Sequence, residues 1–543
     1  MVFRDLFLII LVDFLAIMGI VLNWKKESSR KCRCIFLFPL LSSAVHFLIS
    51  NFNVFMCLVY FSAILEIVLI FLHRKKVLTC IISLVSILLS VTPIVLTIIT
   101  SSNCYASLGY VDAFTAFHED IKKNYALQEW KEIDFDAKYQ EYIGQFKQAE
   151  ENHDTSAYIN AMLSYLASYQ DGHVQMWDMY EVFGIGSTRN IQNTYREIYN
   201  NYYGMTLIKI DSGEYVAANV ENGSSADLAG IQNGTIITKW DGLSIDEQLD
   251  KLKYIIPVNC SMFADKENIE RFKPFFLACM GDEKNEVEFI DEKGNVKKET
   301  LNTSGNGYEY LYHTIGMFLQ KDKVEDLSYA TLDENVGYLV IKGMGGDFNQ
   351  IQADIERYIV QMKKDHITTL IVDVRNNVGG EDYAGKIIAE HFSKENLFYL
   401  KETIYDKETK EYQEIKTLQM DAKSSIDVPI YLLVNSDCIS AGEGFAYNMA
   451  KLPQVTVVGM TGTNGSFGTI DGVDIMPEGM MGVFPSIACL DEDGRIMIDS
   501  KYGGIGGIKP EVLIPIDKDA IGVIFKEGYD YEMSFIIQNM LNE

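Results

Sequence analysis

Short apolar runs alternate with helical patterns through the second half of the chain, and this alternation limits the fold more than any other feature. A buried strand, then a helix, then another buried strand is typical of a parallel sheet with helices on its faces. The segments are, in order, a strand at 337–341, a helix at 347–363, a strand at 368–374, a helix at 384–392, a strand at 429–434, a helix at 441–449 and a strand at 455–459. They predict an α/β domain whose ligand chemistry lies at the strand ends.

One of these strand-to-helix turns carries a serine in a place that suits a nucleophile. The apolar run at 429–434 gives way to polar residues and then to the turn Ile-Ser-Ala-Gly, in which Ser440 precedes the helix. A serine there lies at the positive end of the helix dipole, beside backbone amides that can bind an anion. That position favours an acyl-transfer nucleophile, but a serine that only caps the helix would occupy it as well.

Two further segments carry residues that suit the same chemistry. The strand at 368–374 is followed by Arg-Asn-Asn and by the pair Gly379-Gly380, whose backbone N–H groups no side chain shields. Earlier in the chain, a helical pattern ends at an Asp-Gly turn that is followed by His173. An imidazole, with an ordinary pKa of about 6.5, can accept a serine proton at neutral pH.

The R-N-N-x-G-G strand end, the Ser440-Ala441 turn and the D-G-H segment together resemble the tail-specific (C-terminal processing) and tricorn-like serine peptidases. The resemblance covers about residues 110–517. It implies a crotonase-like α/β peptidase domain and an endopeptidase that cleaves extended polypeptides, C-terminal tails among them. It also implies Ser440 as the nucleophile, His173 as the base, and oxyanion donors on Ala441 and on Gly379 or Gly380.

The processing branch of that family uses a lysine that follows the serine as its base, and this chain has none in the matching window. Residues 462–468 read Gly-Thr-Asn-Gly-Ser-Phe-Gly. The nearest lysines, Lys451 and Lys501, lie in no matching motif. A Ser–Lys pair is therefore unsupported, and His173 remains as the base.

A third group should orient the histidine. The tricorn-like pattern offers a serine before the histidine and a glutamate before a C-terminal glycine stretch. This chain has Gly172 in the first position and no acid directly before the glycines at 503–507. We assign Asp499 to this role, with Glu443 on the nucleophile helix as the second choice. Either carboxylate could equally be a helix cap or a solvated charge.

Residues 203–301 read as a small β-rich module that resembles a PDZ domain. The similarity lies in the segment SSADLAGIQNGTIITKWDG and in the loop Tyr203-Gly204-Met205. The matching loop in PDZ domains binds a peptide's C-terminal carboxylate through backbone N–H groups while the peptide adds a strand to the sheet. The alternative is a structural β insert that binds nothing.

The N-terminal hundred residues read as membrane spans. Apolar runs lie at 6–22, 35–49, 54–72 and 77–99, and most approach the roughly 20 residues that cross a bilayer. The second run is short, so it is the weakest of the four. Basic residues cluster after the first and third runs, which places both loops in the cytoplasm. The pattern predicts a multi-pass protein of the cell membrane whose catalytic portion is extracytoplasmic.

Charge excludes one class of partner. The chain carries a net charge of −28. Residues 1–104 hold nine basic and four acidic residues, a balance of +5, which leaves −33 for the remainder. Binding to nucleic acid needs a basic face, so we expect no nucleic-acid partner. The nine cysteines show no disulfide or zinc spacing, and we expect neither a metal ion nor a cofactor.

The sequence thus predicts a multidomain protein with four parts. These are an α-helical membrane bundle of about four spans at 1–104, a helical cap with the D-G-H motif at 105–200, a PDZ-like module at 201–302 and an α/β serine peptidase domain at 303–543. The function that fits is a membrane-anchored serine endopeptidase with an acyl-enzyme mechanism. The alternatives are a catalytically silent relative that binds peptides outside the cell and a sensor that relays peptide binding through the spans. Nothing in the sequence indicates an oligomeric state.

Overall fold

The computed structural model describes residues 103–179, 190–252, 264–321, 327–333, 335–499 and 506–541. Helices α1 to α13 span Tyr110–Asn124, Phe135–Asn152, Thr155–Ala167, Asn190–Ile198, Ser225–Leu228, Ile245–Leu249, Lys266–Leu277, Gly307–Phe318, Phe348–Lys364, Asp382–Ala389, Ala441–Ala450, Lys518–Gly522 and Tyr531–Asn539. Strands β1 to β19 span Gln175–Asp178, Thr206–Lys209, Tyr215–Ala218, Ile236–Trp240, Leu243–Ser244, Lys284–Ile290, Val296–Asn302, Leu327–Asp333, Val336–Ile341, Thr369–Asp373, Leu397–Asp406, Glu411–Met420, Ile430–Leu433, Val455–Gly459, Gly468–Ile470, Asp474–Met476, Met480–Val483, Pro485–Leu490 and Val512–Leu513.

The predicted strand–helix alternation forms a central six-stranded sheet. Its order is β19-β14-β13-β10-β9-β8. Strands β9, β10, β13, β14 and β19 are parallel, and β8 lies antiparallel at one edge. Each predicted segment is present, with ends that differ by a few residues at most. The carboxyl ends of β10 and β13, where the sequence places its functional residues, are adjacent in this sheet.

Both faces of the central sheet are buried, which explains why its strands read as continuous apolar runs. Val372 and Leu432 belong to a core that also contains residues of α9, α10 and α11. Ile371 and Leu433, whose side chains point the other way, belong to a second core with residues of α7, α8 and α13. The helices thus hold the sheet, and the turns at its ends, from two sides.

The β-rich module is an antiparallel sheet of order β2-β3-β4-β6-β7, with the short β5 paired to β4. One face of this sheet has its own core, to which Trp240 and Val287 contribute. From the other face, Ile208 and Val216 join the core that contains Ile371 of the central sheet. Residues from Tyr105 onward form one compact unit. The predicted boundary near 302 therefore separates two sheets that share a core.

An aromatic helical cap precedes the β module. Phe114 of α1 stacks on Phe146 of α2, with ring centroids 4.0 Å apart, and meets Tyr165 of α3 edge-on. Asp134 and Asp154 cap α2 and α3 by accepting backbone N–H groups. Because α3 ends at Ala167, the cap delivers the following D-G-H segment to the start of β1.

Two further antiparallel sheets were not predicted from the sequence. One has the order β12-β11-β18-β15, and the other has the order β1-β17-β16. The pairing of β1 with β17 matches Gln175 to Val483 and so fixes the chain directly after His173 against the C-terminal half of the protein. These sheets connect the cap to the central α/β layer.

The predicted membrane bundle requires a correction. All four predicted runs fall in residues 1–102, which lie outside the described residues. Within the described ranges, no helix is long and apolar enough to cross a bilayer. A span needs roughly 20 consecutive apolar residues, whereas the longest described helix, α2, has 18 residues, many of them charged. The four-span bundle in the fold class, the membrane as a partner and the multi-pass cell-membrane localisation are therefore withdrawn.

Candidate active site

Ser440 occupies a strained turn between β13 and α11. Its backbone has φ 60° and ψ −133°, a combination that residues other than glycine rarely adopt. The turn is held by Ser440 N–H, which donates to the Ser466 carbonyl at 3.1 Å, and by Gly444 N–H, which donates to the Ser440 carbonyl. The Ser440 hydroxyl makes no capping hydrogen bond. The alternative of a helix-capping serine therefore does not describe this residue.

The glycine pair after β10 lies directly against this turn. A Cβ on Gly379 would lie 2.5 Å from Ser440 Cβ and 3.0 Å from the Ala441 nitrogen, and the φ of Gly379 is +86°. A Cβ on Gly380 would lie 2.7 Å from the Met344 carbonyl carbon. Both positions need glycine, because a side chain would collide with the serine turn at Gly379 and with the Met344 backbone at Gly380.

The backbone donors near Ser440 are not equivalent. Gly379 N–H donates to Asn377 Oδ1 at 2.9 Å, so it is already engaged. The N–H groups of Ala441 and Gly380 have no acceptor in the part of the chain that the structure describes. Free N–H groups at the start of a helix and beside the serine are what an oxyanion requires. Of the two glycines that the sequence offers, Gly380 is the one with an available donor.

Ser466 joins the serine turn to the histidine segment. Its carbonyl accepts Ser440 N–H, while its hydroxyl accepts Gly172 N–H at 2.7 Å. Residues 440 and 173 are distant in sequence, yet their loops are bonded to the same residue. The predicted base and nucleophile segments are thus brought together by one residue from the window in which the processing branch has its lysine.

His173 is buried, with 6% of its surface exposed. Burial lowers the pKa of its imidazole, a nearby Asp171 carboxylate opposes this effect, and the Lys131 ammonium adds to it. The Nδ1 atom lies 3.9 Å from Asp171 Oδ1 and has no hydrogen-bond partner within the described ranges. A neutral imidazole is the form that can act as a base.

Asp499 does not take the place that the sequence assignment gave it. Its carboxylate lies 2.7 Å from the Lys131 ammonium, and both side chains are almost fully buried. Burial raises the pKa of Asp499 to about 8, against the opposing effect of Lys131. The described carboxylate next to the imidazole is instead Asp171, which the sequence analysis treated only as part of a turn. Its position two residues before the histidine is the signal that could have identified it.

Glu443, the second choice for that role, supports a loop. Its buried carboxylate accepts hydrogen bonds from the Thr463 hydroxyl and from the N–H groups of Gly465 and Ser466. Burial raises the pKa of Glu443 to about 8, and these hydrogen bonds oppose the rise. Through Ser466, this glutamate on the nucleophile helix positions the loop that holds both reacting segments.

Lys451, one of the two lysines of the sequence analysis, does not lie beside the serine turn. Lys451 lies at the far end of α11, where its ammonium contacts the Tyr447 ring and donates to Asn448 Oδ1. Lys501 lies outside the described residues. Within the described ranges, no group of histidine, cysteine, aspartate and glutamate side chains has the arrangement of a metal site.

The predicted carboxylate-binding loop is buried. Tyr203 is 1% exposed and Met205 is fully buried. The Tyr203 hydroxyl donates to the Asp282 carbonyl, and its own carbonyl accepts Ala226 N–H. Gly204 has φ +89°. Peptide binding at this loop and the PDZ-like assignment of 201–302 remain predictions.

Comparison with known proteins bears out the family resemblance. Residues 335–514 match the model of Peptidase family S41. A probable CtpA-like serine protease of Staphylococcus aureus (strain N315) is 24% identical over 373 residues, which cover 64% of this chain and 63% of the relative. A protein of the same description from Staphylococcus haemolyticus (strain JCSC1435) is 23% identical over 239 residues, 44% of this chain and 38% of that protein. The chain therefore spans less than two thirds of these relatives' length.

Among solved structures, mature CPAF has the same fold. The alignment covers 80% of this chain and 98% of CPAF, with a TM-score of 0.52 and 12% identity. Mature CPAF complexed with lactacystin gives a TM-score of 0.51 at 11% identity, over 80% of this chain and 99% of that chain. At such identity the likeness concerns the fold alone. With the family match, it shows that this chain carries a peptidase family S41 domain at residues 335–514, as its motifs predict.

Proposed function

We propose that this chain is a serine endopeptidase that cleaves extended polypeptides through an acyl-enzyme, with Ser440 as nucleophile and His173 as base. One observation carries the proposal. Ser440 sits in a strained strand-to-helix turn with an uncapped hydroxyl and lies against Gly379, while the adjacent N–H groups of Ala441 and Gly380 have no acceptor within the described ranges. Strain of this kind persists where function needs it, and the CtpA-like relatives support the choice of polypeptide as substrate.

The reaction follows from these groups. Ser440 Oγ attacks the scissile carbonyl while His173 accepts the hydroxyl proton. The carbonyl oxygen becomes an oxyanion that the N–H groups of Ala441 and Gly380 stabilise. His173 then donates its proton to the leaving amine, which departs with the C-terminal part of the substrate. Water, activated by the same imidazole, hydrolyses the acyl-enzyme.

A catalytically silent, peptide-binding relative is the second candidate, and one observation favours it. No group in the described part of the chain makes a hydrogen bond to His173 Nδ1. Without such a bond the imidazole is free to take the wrong tautomer, which costs most of the rate in enzymes of this type. The two candidates differ in one measurable property, the turnover of a peptide bond.

Replacing the nucleophile tests the proposal. The full-length chain and its Ser440→Ala variant are incubated with fluorescein-labelled casein, and peptide release is followed. We expect Ser440→Ala to lose activity by a factor on the order of 10⁴–10⁶. Ser436→Ala is the matched control, since Ser436 lies in the same connection and its buried hydroxyl has no partner within the described ranges. Wild-type turnover by Ser440→Ala would contradict the assignment, and an inactive wild type would support the silent relative.

A further inference from the structure

We propose that Asp171 is the positioning residue for His173, in place of the Asp499 that the sequence suggests. This inference deepens the proposed function and rests on it, because it requires His173 to act as a base. It assigns the third member of the catalytic group to the turn that carries the histidine itself.

The Asp171 carboxylate is fixed through both of its oxygens. Oδ1 accepts the backbone N–H of His173 at 2.8 Å, and Oδ2 accepts the hydroxyl of Tyr125 at 2.6 Å. Tyr125 follows α1 directly, and both it and Asp171 are fully buried. A carboxylate that is bonded from its own turn and from the helical cap cannot rotate away from the imidazole.

The ring atom of His173 that lies nearest this carboxylate is Nδ1. Nδ1 of His173 is buried and, within the described ranges, has no hydrogen-bond partner, while Asp171 Oδ1 lies 3.9 Å away. A hydrogen bond requires this distance to shorten by about 1 Å. Catalytic hydrogen bonds are often long without substrate and shorten in the reacting complex. A bond from Nδ1–H to Asp171 leaves Nε2 unprotonated, which is the tautomer that a base requires.

The neighbouring charges show why Asp499 is not the orienting group. The Lys131 ammonium donates to the Gln170 carbonyl at 3.0 Å and lies 2.7 Å from Asp499. Asp499 is thus occupied by a buried cation. The charged groups that act on the imidazole are Asp171 and Lys131, with opposite effects on its pKa. Asp499 lies against Lys131 rather than against the imidazole, whereas Asp171 lies beside the imidazolium that forms during the reaction.

The alternative is a purely structural role, in which Asp171 only stabilises the Asp-Gly turn through its bond to His173 N–H. Asparagine can make the same turn, because its side-chain oxygen accepts the same N–H, but it carries no charge. A turn-forming role predicts that Asp171→Asn moves the pH dependence through its lost charge but leaves the plateau rate unchanged. A positioning role predicts a change in both the rate and its pH dependence.

The test compares Asp171→Asn with Asp499→Asn, two isosteric losses of charge within one cluster. The full-length proteins react with a fluorescent fluorophosphonate probe, and the second-order rate constant is measured from pH 4 to 9. We expect Asp171→Asn to lower the plateau by a factor on the order of 10²–10⁴. Since Asp171 raises the pKa of His173, its loss moves the acid limb to lower pH, by about one unit. We expect Asp499→Asn to keep the limb in place and to lower the melting temperature, because it removes the carboxylate that lies 2.7 Å from the buried Lys131 ammonium.

Any other outcome contradicts either the role of Asp171 or the proposed function on which it rests. An Asp171→Asn profile within threefold of the wild type, or a limb that moves only in Asp499→Asn, overturns the role of Asp171. The His173→Ala variant in the same assay distinguishes the two failures. If His173→Ala reacts like the wild type, the proposed function is wrong. If it is inactive, only the role of Asp171 is in question. Should Asp171→Asn not fold, Asp171→Ser keeps an oxygen for the turn, and the same limb shift is expected of it. An unshifted limb in that variant is equally contradictory.

Discussion

The contact between Gly379 and Ser440 determines, at the scale of single residues, whether the site can form. Gly379 has a positive φ, and its Cα faces the side chain of the serine. Its own N–H is engaged by Asn377, so it contributes space rather than a hydrogen bond. The neighbouring Gly380 supplies the free N–H. The two glycines of one motif therefore have different tasks.

Substitution of Gly379 by alanine should abolish proteolysis while the protein still folds. The new Cβ would lie 2.5 Å from Ser440 Cβ, so the serine turn must shift. Displacement by about 1 Å costs roughly 10²-fold in rate, and the unfavourable φ should lower the stability by about 1–3 kcal/mol. Casein cleavage and thermal unfolding measure the two effects. Gly345→Ala is the control, because its Cβ would meet nothing within 4 Å. Full activity of Gly379→Ala would refute the close approach.

The sequence singled out the candidate reacting residues but did not indicate their conformation. Residue types and order single out Ser440, His173 and the glycine pair, since each follows a recognisable strand or turn. No propensity rule places a serine at φ 60°, because this strain is imposed by the surrounding structure. Asp171 escaped notice because Asp-Gly is also an ordinary turn signal.

At the scale of elements, the loop at 463–466 connects the nucleophile helix to the histidine segment. Glu443 of α11 binds this loop through Thr463, Gly465 and Ser466. Ser466 in turn binds both Ser440 and Gly172. On the opposite side, Asn268 of α7 donates to the Thr463 carbonyl at 2.8 Å. The loop therefore joins the Ser440 turn to the His173 segment.

Loss of the Ser466 hydroxyl should slow the reaction without removing the nucleophile. Ser466→Ala leaves the Ser440 turn bonded to the backbone carbonyl but frees Gly172 N–H from its acceptor. We expect kcat to fall by roughly 10–10²-fold through misplacement of His173, with KM nearly unchanged. Steady-state kinetics on labelled casein give both constants, with Ser436→Ala as the control. An unchanged kcat would show that the loop does not position the histidine.

The sequence shows that this loop contains no lysine, but it does not show which contacts the loop makes instead. The bonds of Ser466 join segments that lie hundreds of residues apart, and local patterns carry no information about such pairs. For the same reason, the strands β11 and β12 were missed. Most positions of β12 are exposed and most positions of β11 are half-buried, so neither strand shows a clear hydrophobic alternation.

At the scale of the whole molecule, a buried charge network joins the C-terminal helix to the central sheet. Arg375 lies two residues after the end of β10 and bonds to Asp373, Asp530 and Glu532, with the last two at the start of α13. Burial alone would raise the pKa of Asp373, but Arg375 and Lys342 hold it well below its ordinary value. The network thus fixes the strand end that leads to Gly379.

Removal of this guanidinium should destabilise the protein strongly. Arg375→Met leaves Asp373 and Glu532 buried without their main cation, which typically costs about 3–5 kcal/mol. Urea unfolding followed by circular dichroism measures the loss. Arg357→Met is the matched control, since Arg357 is exposed and contacts only local partners within the described ranges, Asp354 and the Tyr358 ring of the same helix, and we expect almost no change. Equal stability of the two variants would contradict a structural role for the network.

Large-scale organisation could be predicted where the hydrophobic periodicity is strong, but not where segments distant in sequence pack against each other. The α/β layer followed from alternating apolar runs that are buried on both faces. The predicted membrane bundle had to be withdrawn. The predicted domain boundary at 302 gave no indication that Ile208 and Ile371 belong to one core. Shared cores between distant segments leave no local signature.

Chemical location of the nucleophile tests the central claim most directly. The full-length protein is reacted with a fluorophosphonate probe at neutral pH, digested, and the modified peptide is sequenced by mass spectrometry. The account predicts one modified residue, Ser440, and no modification in His173→Ala within the time that saturates the wild type. A probe attached to any other residue, or casein cleavage that continues in a protein fully labelled at Ser440, would contradict it.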